Sequence, residues 1–106
     1  MRIIDHVISG HSAGDGGRTS DVFDPNNGGV QAQLRLGTQA DLDAAMAAAL
    51  AAQPAWAATN PQRRARVMFA FKTLVEQNMD ELAHLLSSEH GKVIADSKGD
   101  IQRGLE

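Results

Sequence analysis

The pattern of apolar positions divides the chain at Gly37, with a strand-like period before it and a helical period after it. The alternation is clearest in VQAQLRL (residues 30–36), where an apolar side chain stands at every second position. An alternation of period two predicts a half-buried strand. The sequence therefore predicts a β segment over residues 1–37 and a helical segment over residues 38–106.

Two more strands and two connections are predicted in the β segment. DHVIS (residues 5–9) and TSDVFD (residues 19–24) have the composition of short strands. PNNGG (residues 25–29) predicts a tight turn, because Asn and Gly adopt the positive φ that such turns need. HSAGDGG (residues 11–17) predicts a plain loop, since a strand follows its glycines where a dinucleotide-binding fingerprint requires a helix.

The first predicted helix begins after Thr38, an N-cap residue with Asp41 at the third helical position as in a capping box. Pro54 and the TNP run at residues 59–61 are predicted to end it. Trp56, placed after the helix, is predicted to anchor the core. The apolar stripe predicted to be buried consists of Leu42, Ala45, Met46, Ala49 and Leu50.

Three more helices are predicted from end signals. Asn60–Pro61 supplies an N-cap and a first-turn proline for the second helix. The third is predicted over residues 80–89 and closed by Gly91, and the fourth continues from Ile94 to the uncapped Glu106. The stripe predicted for the second helix consists of Arg64, Val67, Met68, Phe71, Leu74 and Val75.

Composition excludes several kinds of site. The chain has no cysteine, which rules out a disulfide, a thiolate metal site and a cysteine nucleophile within it. The net charge of −3 argues against a nucleic-acid partner. No apolar run reaches the ~20 residues of a membrane span, so we expect no membrane partner. The lack of cysteine also fits a cytoplasmic protein.

The basic and imidazole side chains do not predict a defined binding site for nucleic acid or metal. RRAR (residues 63–66) is predicted to be solvated, or to pair one arginine with a distant carboxylate, although nucleic-acid contact is an alternative. His84 and His90 are six residues apart and do not share a helix face. All four histidines are predicted to lie at the surface or at strand edges and to bind no metal: His6, His11, His84 and His90.

Arg103 in the last helix admits two interpretations. Gly99 lies one turn before it, and this bare turn beside a guanidinium would admit another backbone or an anionic ligand held by two hydrogen bonds. Alternatively, Asp100 and Arg103 form an (i, i+3) ion pair and the glycines serve close helix packing. The residues alone favour the ion pair.

The second half of the chain resembles the N-terminal region of the aldehyde dehydrogenase superfamily. The resemblance rests on Arg64 opening a helix, E-L-A-x-L at residues 81–85 and E-x-G-K at residues 89–92. The ending HGKVIADSKGDIQRGLE (residues 90–106) is similar to the CoA-acylating, methylmalonate-semialdehyde dehydrogenase branch, with its pattern G-D/E-I/V-x-R-G-I/L-E/Q. His11 to Ala13 and the PNNGG turn depart from the usual pattern of the branch.

The resemblance implies an α+β fragment of an α/β enzyme, namely strands or a hairpin followed by about four helices. Residues 1–37 would be an N-terminal β segment, and residues 38–106 an incomplete helical layer of the NAD-binding domain. The catalytic domain would be absent, because family members are about five times longer. The expected partners are the rest of the same polypeptide and further copies, as a tetramer of the full-length enzyme.

The resemblance also implies a chemistry for the full-length enzyme. A cysteine beyond Glu106 attacks malonate or methylmalonate semialdehyde, NAD takes the hydride, CO2 leaves and CoA accepts the acyl unit, in valine or inositol catabolism. This chain alone would be inert and would bind neither NAD nor CoA. The resemblance reverses the preference at Arg103, which is implied to hold the substrate carboxylate. The alternative from another class is a free-standing α+β interaction module that oligomerises through its helices.

Overall fold

A computed structural model describes residues 1–14 and 17–106. The part of the predicted HSAGDGG loop at residues 15–16 lies outside the described residues. The remainder forms two compact units. The strand unit consists of Met1–Phe23 and Val30–Thr59, and the helix unit of Asp24–Gly29 and Asn60–Glu106.

The strand unit contains the strands of the chain and its first helix. A three-stranded sheet has the order β1-β5-β4, in which β5 is parallel to β1 and antiparallel to β4. A separate antiparallel pair joins β2 to β3. The bounds are Arg2–Ile4 for β1, His6–Ile8 for β2, His11–Ala13 for β3, Thr19–Phe23 for β4, Val30–Arg35 for β5 and Gln39–Ala58 for α1.

The predictions for β4 and β5 are confirmed, but the start of the chain differs from the prediction. β1 was missed, and His11–Ala13 is a strand where a loop was predicted. The reason for the strand at His11–Ala13 is the Ser9–Gly10 pair, whose φ angles of 55° and 76° are those of a two-residue hairpin turn. This turn brings Ile8 opposite His11 and closes the β2–β3 hairpin.

Helix α1 begins as predicted and ends later. The Thr38 hydroxyl accepts from the Asp41 N–H at 3.1 Å, and the Asp41 carboxylate accepts from the Thr38 N–H at 2.9 Å. The prediction that Pro54 ends the helix is wrong, since α1 continues to Ala58. A proline removes its own N–H donor but not those of the following residues, so a further turn forms before Thr59.

The predicted core of α1 is wrong for the described chain. Leu42, Met46 and Leu50 are 56%, 54% and 68% exposed, and Trp56 lies inside the helix with 45% of its surface exposed. Helical period identifies an apolar face, but burial also requires a second surface to pack against it. In the strand unit, Ala32 of β5 is the buried apolar residue among those described.

The helix unit contains three helices whose ends agree with the predictions. They are α2 at Pro61–Gln77, α3 at Met79–His90 and α4 at Ile94–Leu105. The Asn60 side chain caps α2 by accepting from the Arg63 N–H at 2.9 Å. Gly91 closes α3 with φ 90°, and a Cβ there would lie 3.1 Å from the Pro25 ring, so both conformation and space favour glycine.

The α2 stripe is exposed, like that of α1. Val67, Met68 and Phe71 are each more than half exposed, which contradicts the prediction of a buried face. The PNNGG turn is confirmed, with the Asp24 carboxylate accepting from the Asn26 N–H at 2.8 Å. Within the described part of the chain, no helix is both long enough and apolar enough to cross a bilayer.

Candidate functional site

Helices α3 and α4 are held together at two small residues. Ala83 of α3 and Ser97 of α4 are both fully buried. The buried Ser97 hydroxyl is satisfied, since its Oγ lies 2.7 Å from Oγ of Ser87 on the facing helix. Small side chains at such a contact let two helices approach closely, and this contact fixes the position of α4 against α3.

An ion pair adds a second link between these helices. Lys98 Nζ of α4 lies 2.8 Å from an Asp80 carboxylate oxygen in the first turn of α3. The hydrogen bond from Lys98 holds the pKa of Asp80 below its usual value. Asp80 also lies where a carboxylate compensates the dipole of the α3 N-terminus.

Asp100 connects the loop before α4 with the end of α4. One of its carboxylate oxygens accepts from Lys92 Nζ, and the other accepts from Nη2 of Arg103. The side chains of Lys92 and Asp100 are 23% and 32% exposed, whereas that of Arg103 is 72% exposed. The Lys92 hydrogen bond is the main cause of a lowered pKa at Asp100, with Arg103 contributing. We call these three residues the α4 charge triad.

The predicted Asp100–Arg103 ion pair is therefore present, but it uses only some of the N–H donors of the guanidinium. Arg has five N–H donors in a planar fork, and the structure directs one nitrogen to Asp100. The exposed remainder of the fork is available to an incoming acceptor. The structure thus shows the ion pair without excluding ligand binding, and the role of Arg103 in a complete enzyme stays a prediction.

The glycines of α4 face open space among the described residues. A Cβ placed on Gly99 or Gly104 would meet no atom within 4 Å. They are therefore not close-packing glycines within the described chain, contrary to one of the two interpretations of the sequence. The bare turn at Gly99 beside Arg103 is present as predicted.

An apolar groove of about 440 Å³ lies in the helix unit between α2 and the end of α4. Met68, Phe69 and Phe71 contribute its apolar wall, and Leu105 faces it from α4. Lys72 and Glu106 are its charged members. The exposed face of α2 thus borders a concave surface that begins one residue after Arg103.

A second polar cluster lies in the strand unit and was not predicted. His6 Nε2 of β2 is 3.5 Å from the capping carboxylate of Asp41, and the His6 side chain is only 24% exposed. The two hydrogen bonds from Thr38 lower the pKa of Asp41, with smaller effects of His6 and Arg35. His6 therefore lies on an edge strand, as predicted, since the β2–β3 sheet has only two strands. Its side chain is directed toward the start of α1 and is largely covered there, which the sequence did not predict.

This cluster borders a cavity of about 620 Å³ lined by β2 and the first turns of α1. The His6 Nε2 atom is buried and has no hydrogen-bond partner among the described residues. Nearby, Arg35 of β5 forms an ion pair with Asp5. Among the described residues, no three His, Asp or Glu side chains converge as a metal site would require.

The comparisons with known proteins agree on one family. Residues 11–106 match the profile of the aldehyde dehydrogenase family. Over 106 residues, the chain is 42% identical to a malonate-semialdehyde dehydrogenase of Pseudomonas aeruginosa. The match covers 100% of this chain but 21% of that protein.

Two solved structures agree with this match. One, described as a methylmalonate-semialdehyde dehydrogenase of Sinorhizobium meliloti 1021 in complex with NAD, shares 56% identity with a TM-score of 0.95. Another, a methylmalonate-semialdehyde dehydrogenase of Oceanimonas doudoroffii, shares 42% identity with a TM-score of 0.96. Each alignment covers 99% of this chain and 22% of the other. The chain therefore spans about a fifth of the length of these relatives.

Proposed function

Since the chain belongs to the aldehyde dehydrogenase family, we propose that it is the N-terminal part of an NAD-dependent, CoA-acylating dehydrogenase of malonate or methylmalonate semialdehyde. The observation that carries this proposal is identity of 42% and 56%, over nearly the whole chain, with two relatives that bear these names. The complete enzyme would work in the cytoplasm in the breakdown of valine or inositol. It would assemble as a tetramer.

The division of labour follows from what the chain contains. Covalent catalysis on an aldehyde needs a nucleophile, and the chain has no cysteine to supply one. NAD, when bound, would accept the hydride, and CoA the acyl unit. Residues 38–106 would form part of the helical layer of the NAD-binding domain. The chain alone is inert in this proposal, and binds neither cofactor.

Arg103 is the residue through which this segment would act on the substrate. Malonate semialdehyde carries a carboxylate that a simple aldehyde lacks. A guanidinium holds a carboxylate with two parallel hydrogen bonds, a geometry that lysine cannot copy. The Arg103 side chain is 72% exposed at the end of α4, beside the bare turn at Gly99, and so it can receive such a ligand.

A chimera tests the proposal. The 106 residues replace the corresponding first fifth of the S. meliloti relative, and the chimera is assayed with NAD and CoA. We expect NAD reduction with malonate semialdehyde. Arg103→Ala should lower kcat/KM for this substrate by about one to three decades, because charge-assisted hydrogen bonds contribute about 1.5–3 kcal/mol each. Propanal, which has no carboxylate, should react much as with the parent chimera.

The control is Arg66→Ala, which removes an exposed arginine from α2. This variant should leave kcat/KM unchanged for both malonate semialdehyde and propanal. Equal losses on both substrates with Arg103→Ala would mean that Arg103 has a structural role through Asp100. A chimera that folds but reduces NAD with propanal only would contradict the proposed substrate class.

One observation favours a second function, which is association through exposed apolar helix faces. The apolar faces of α1 and α2 are exposed in the described chain, and apolar patches larger than a few hundred Å² mark interaction surfaces. We propose that the rest of the polypeptide covers them in the complete enzyme. The isolated chain would instead associate with further copies of itself, as a free-standing interaction module would.

A further inference from the structure

We infer that Asp100 is a positioning residue for Arg103, and that Lys92 keeps the α4 charge triad positive so that Arg103 can still receive a carboxylate. The inference deepens the proposed function and rests on it. Its basis is the shared carboxylate of Asp100, which contacts Lys92 through one oxygen and Arg103 through the other.

The geometry separates an anchored end from a free end. Lys92 and Asp100 are both less than one third exposed, and they join the loop after α3 to the middle of α4. Arg103 is attached to this pair through Nη2 and is otherwise largely exposed. Asp100 thus holds one nitrogen of the guanidinium, while the side chain as a whole stays 72% exposed. The bridge also connects the E-x-G-K run (residues 89–92) with the G-D-I-Q-R-G run (residues 99–104).

The charges explain why a third member is needed. An isolated Asp100–Arg103 pair has no net charge, so Asp100 would offset part of the attraction that Arg103 exerts on an approaching carboxylate. Lys92 adds a second cation, so the α4 charge triad carries one net positive charge. A bound carboxylate neutralises that charge. Lys92 therefore lets Asp100 orient Arg103 without cancelling its attraction for an anion.

Orientation has an energetic value of its own. Ordering a long side chain on binding costs about 0.5–1.5 kcal/mol, and a side chain that is already tethered avoids part of this cost. At 1.4 kcal/mol per decade, this range corresponds to about a two- to twelve-fold change in affinity. Positioning and charge predict opposite signs for removal of Asp100. Loss of positioning weakens carboxylate binding, whereas loss of a negative charge alone strengthens it.

The test uses the chimera with malonate semialdehyde and propanal. Asp100→Asn keeps the shape of the side chain and removes its charge. We expect the KM for malonate semialdehyde to rise about two- to twelve-fold relative to the KM for propanal, with kcat little changed. Asp100→Glu, which retains the carboxylate, should restore most of this loss. The matched control is Asp96→Asn, an exposed aspartate in the first turn of the same helix, and its KM ratio should equal that of the parent.

Lys92→Gln tests the charge. It should raise the KM for malonate semialdehyde and flatten the salt dependence of that KM, because the triad would lose its net charge. Lys72→Gln is the matched control, since Lys72 also pairs with a carboxylate, that of Glu76. Melting temperatures of all variants separate these effects from unfolding.

The outcomes distinguish this inference from the proposed function. If Arg103→Ala is selective for malonate semialdehyde while Asp100→Asn leaves its KM unchanged or lowers it, positioning by Asp100 is refuted and the role of Arg103 stands. If Lys92→Gln leaves that KM and its salt dependence unchanged, the charge argument is overturned. If Arg103→Ala is not selective, the proposed role of Arg103 fails, and the inference fails with it.

Discussion

The α3–α4 contact and the exposed face of α1 differ in what their side chains meet. At the α3–α4 contact, Ala83 and Ser97 are fully buried, and Lys98 pairs with Asp80 across the helices. On α1, Leu42, Met46 and Leu50 are larger and more apolar, yet each is more than half exposed. Apolar size alone therefore does not identify the packed region of this chain. A surface that completes the contact is required as well.

The largest expected effect lies on the exposed side of this comparison. We expect the isolated chain to self-associate, because full burial of an apolar side chain contributes about 1.5–3 kcal/mol. Replacing Leu42, Met46 and Leu50 together by Gln should weaken association by several orders of magnitude. Light scattering over a dilution series measures the change.

The control for this triple variant places Asn at the exposed Asp43 of the same helix. It should leave the association constant nearly unchanged. A parent chain that stays a monodisperse species of 11.3 kDa at high concentration would contradict the prediction. It would also mean that the exposed α1 face does not drive association.

The packed side of the comparison predicts the next largest effect. Ala83→Leu inserts three carbon atoms into a contact with no exposed surface, and overpacking of this kind costs about 1–3 kcal/mol. Ala47→Leu makes the same change on the exposed part of α1, where surface substitutions stay within about 0.5 kcal/mol. Urea denaturation compares the two free energies of unfolding. Equal values would show that the α3–α4 contact is no more tightly packed than the α1 surface.

The same contrast explains how far the sequence predicts the fold. Most helix starts and ends were predictable because their signals are local: Thr38 with Asp41, Asn60–Pro61, and Gly91 each act within one turn. Pro54 is the exception, since α1 continues past it to Ala58. Burial was predicted wrongly, because period identifies a face but not its partner. The parallel pairing of β1 with β5 joins Arg2 to Ala32, and no local signal encodes it.

The candidate site follows the same rule. The Asp100–Arg103 pair was predictable because two residues that are three positions apart on a helix lie next to each other on its surface. Lys92 was missed, since it precedes the helix and reaches Asp100 across eight positions of sequence. The contact of His6 with Asp41 was missed for a similar reason. The Ser9–Gly10 hairpin and the return of the chain through β5 bring the two residues together.

The smallest expected effect concerns the start of α1, where a local signal and a distant contact meet. Asp41 accepts hydrogen bonds from the N–H and hydroxyl of Thr38, both at 2.9 Å, and these hold the pKa of its carboxyl below 3.8. A carboxyl whose pKa is lower in the folded than in the unfolded state stabilises the fold above its unfolded pKa. That stabilisation is lost as the pH falls through the lower folded value.

Thr38→Ala removes the side-chain half of this cap. The loss of an N-cap costs about 1 kcal/mol, and the pKa of Asp41 should move back up toward 3.8, because the second of its hydrogen bonds is gone. Carbon-13 NMR titration of the carboxyl measures the pKa, and thermal unfolding at neutral and acidic pH measures stability. The destabilisation should therefore shrink below pH 3.8, where protonated Asp41 contributes less in both proteins. Asp43→Asn, two positions beyond Asp41, should leave the Asp41 titration where it was. A Thr38→Ala chain with an unchanged Asp41 pKa would place the cause of the shift at the backbone N–H of residue 38, which the variant keeps, and the hydroxyl of Thr38 would then contribute nothing to the charge state of its cap partner.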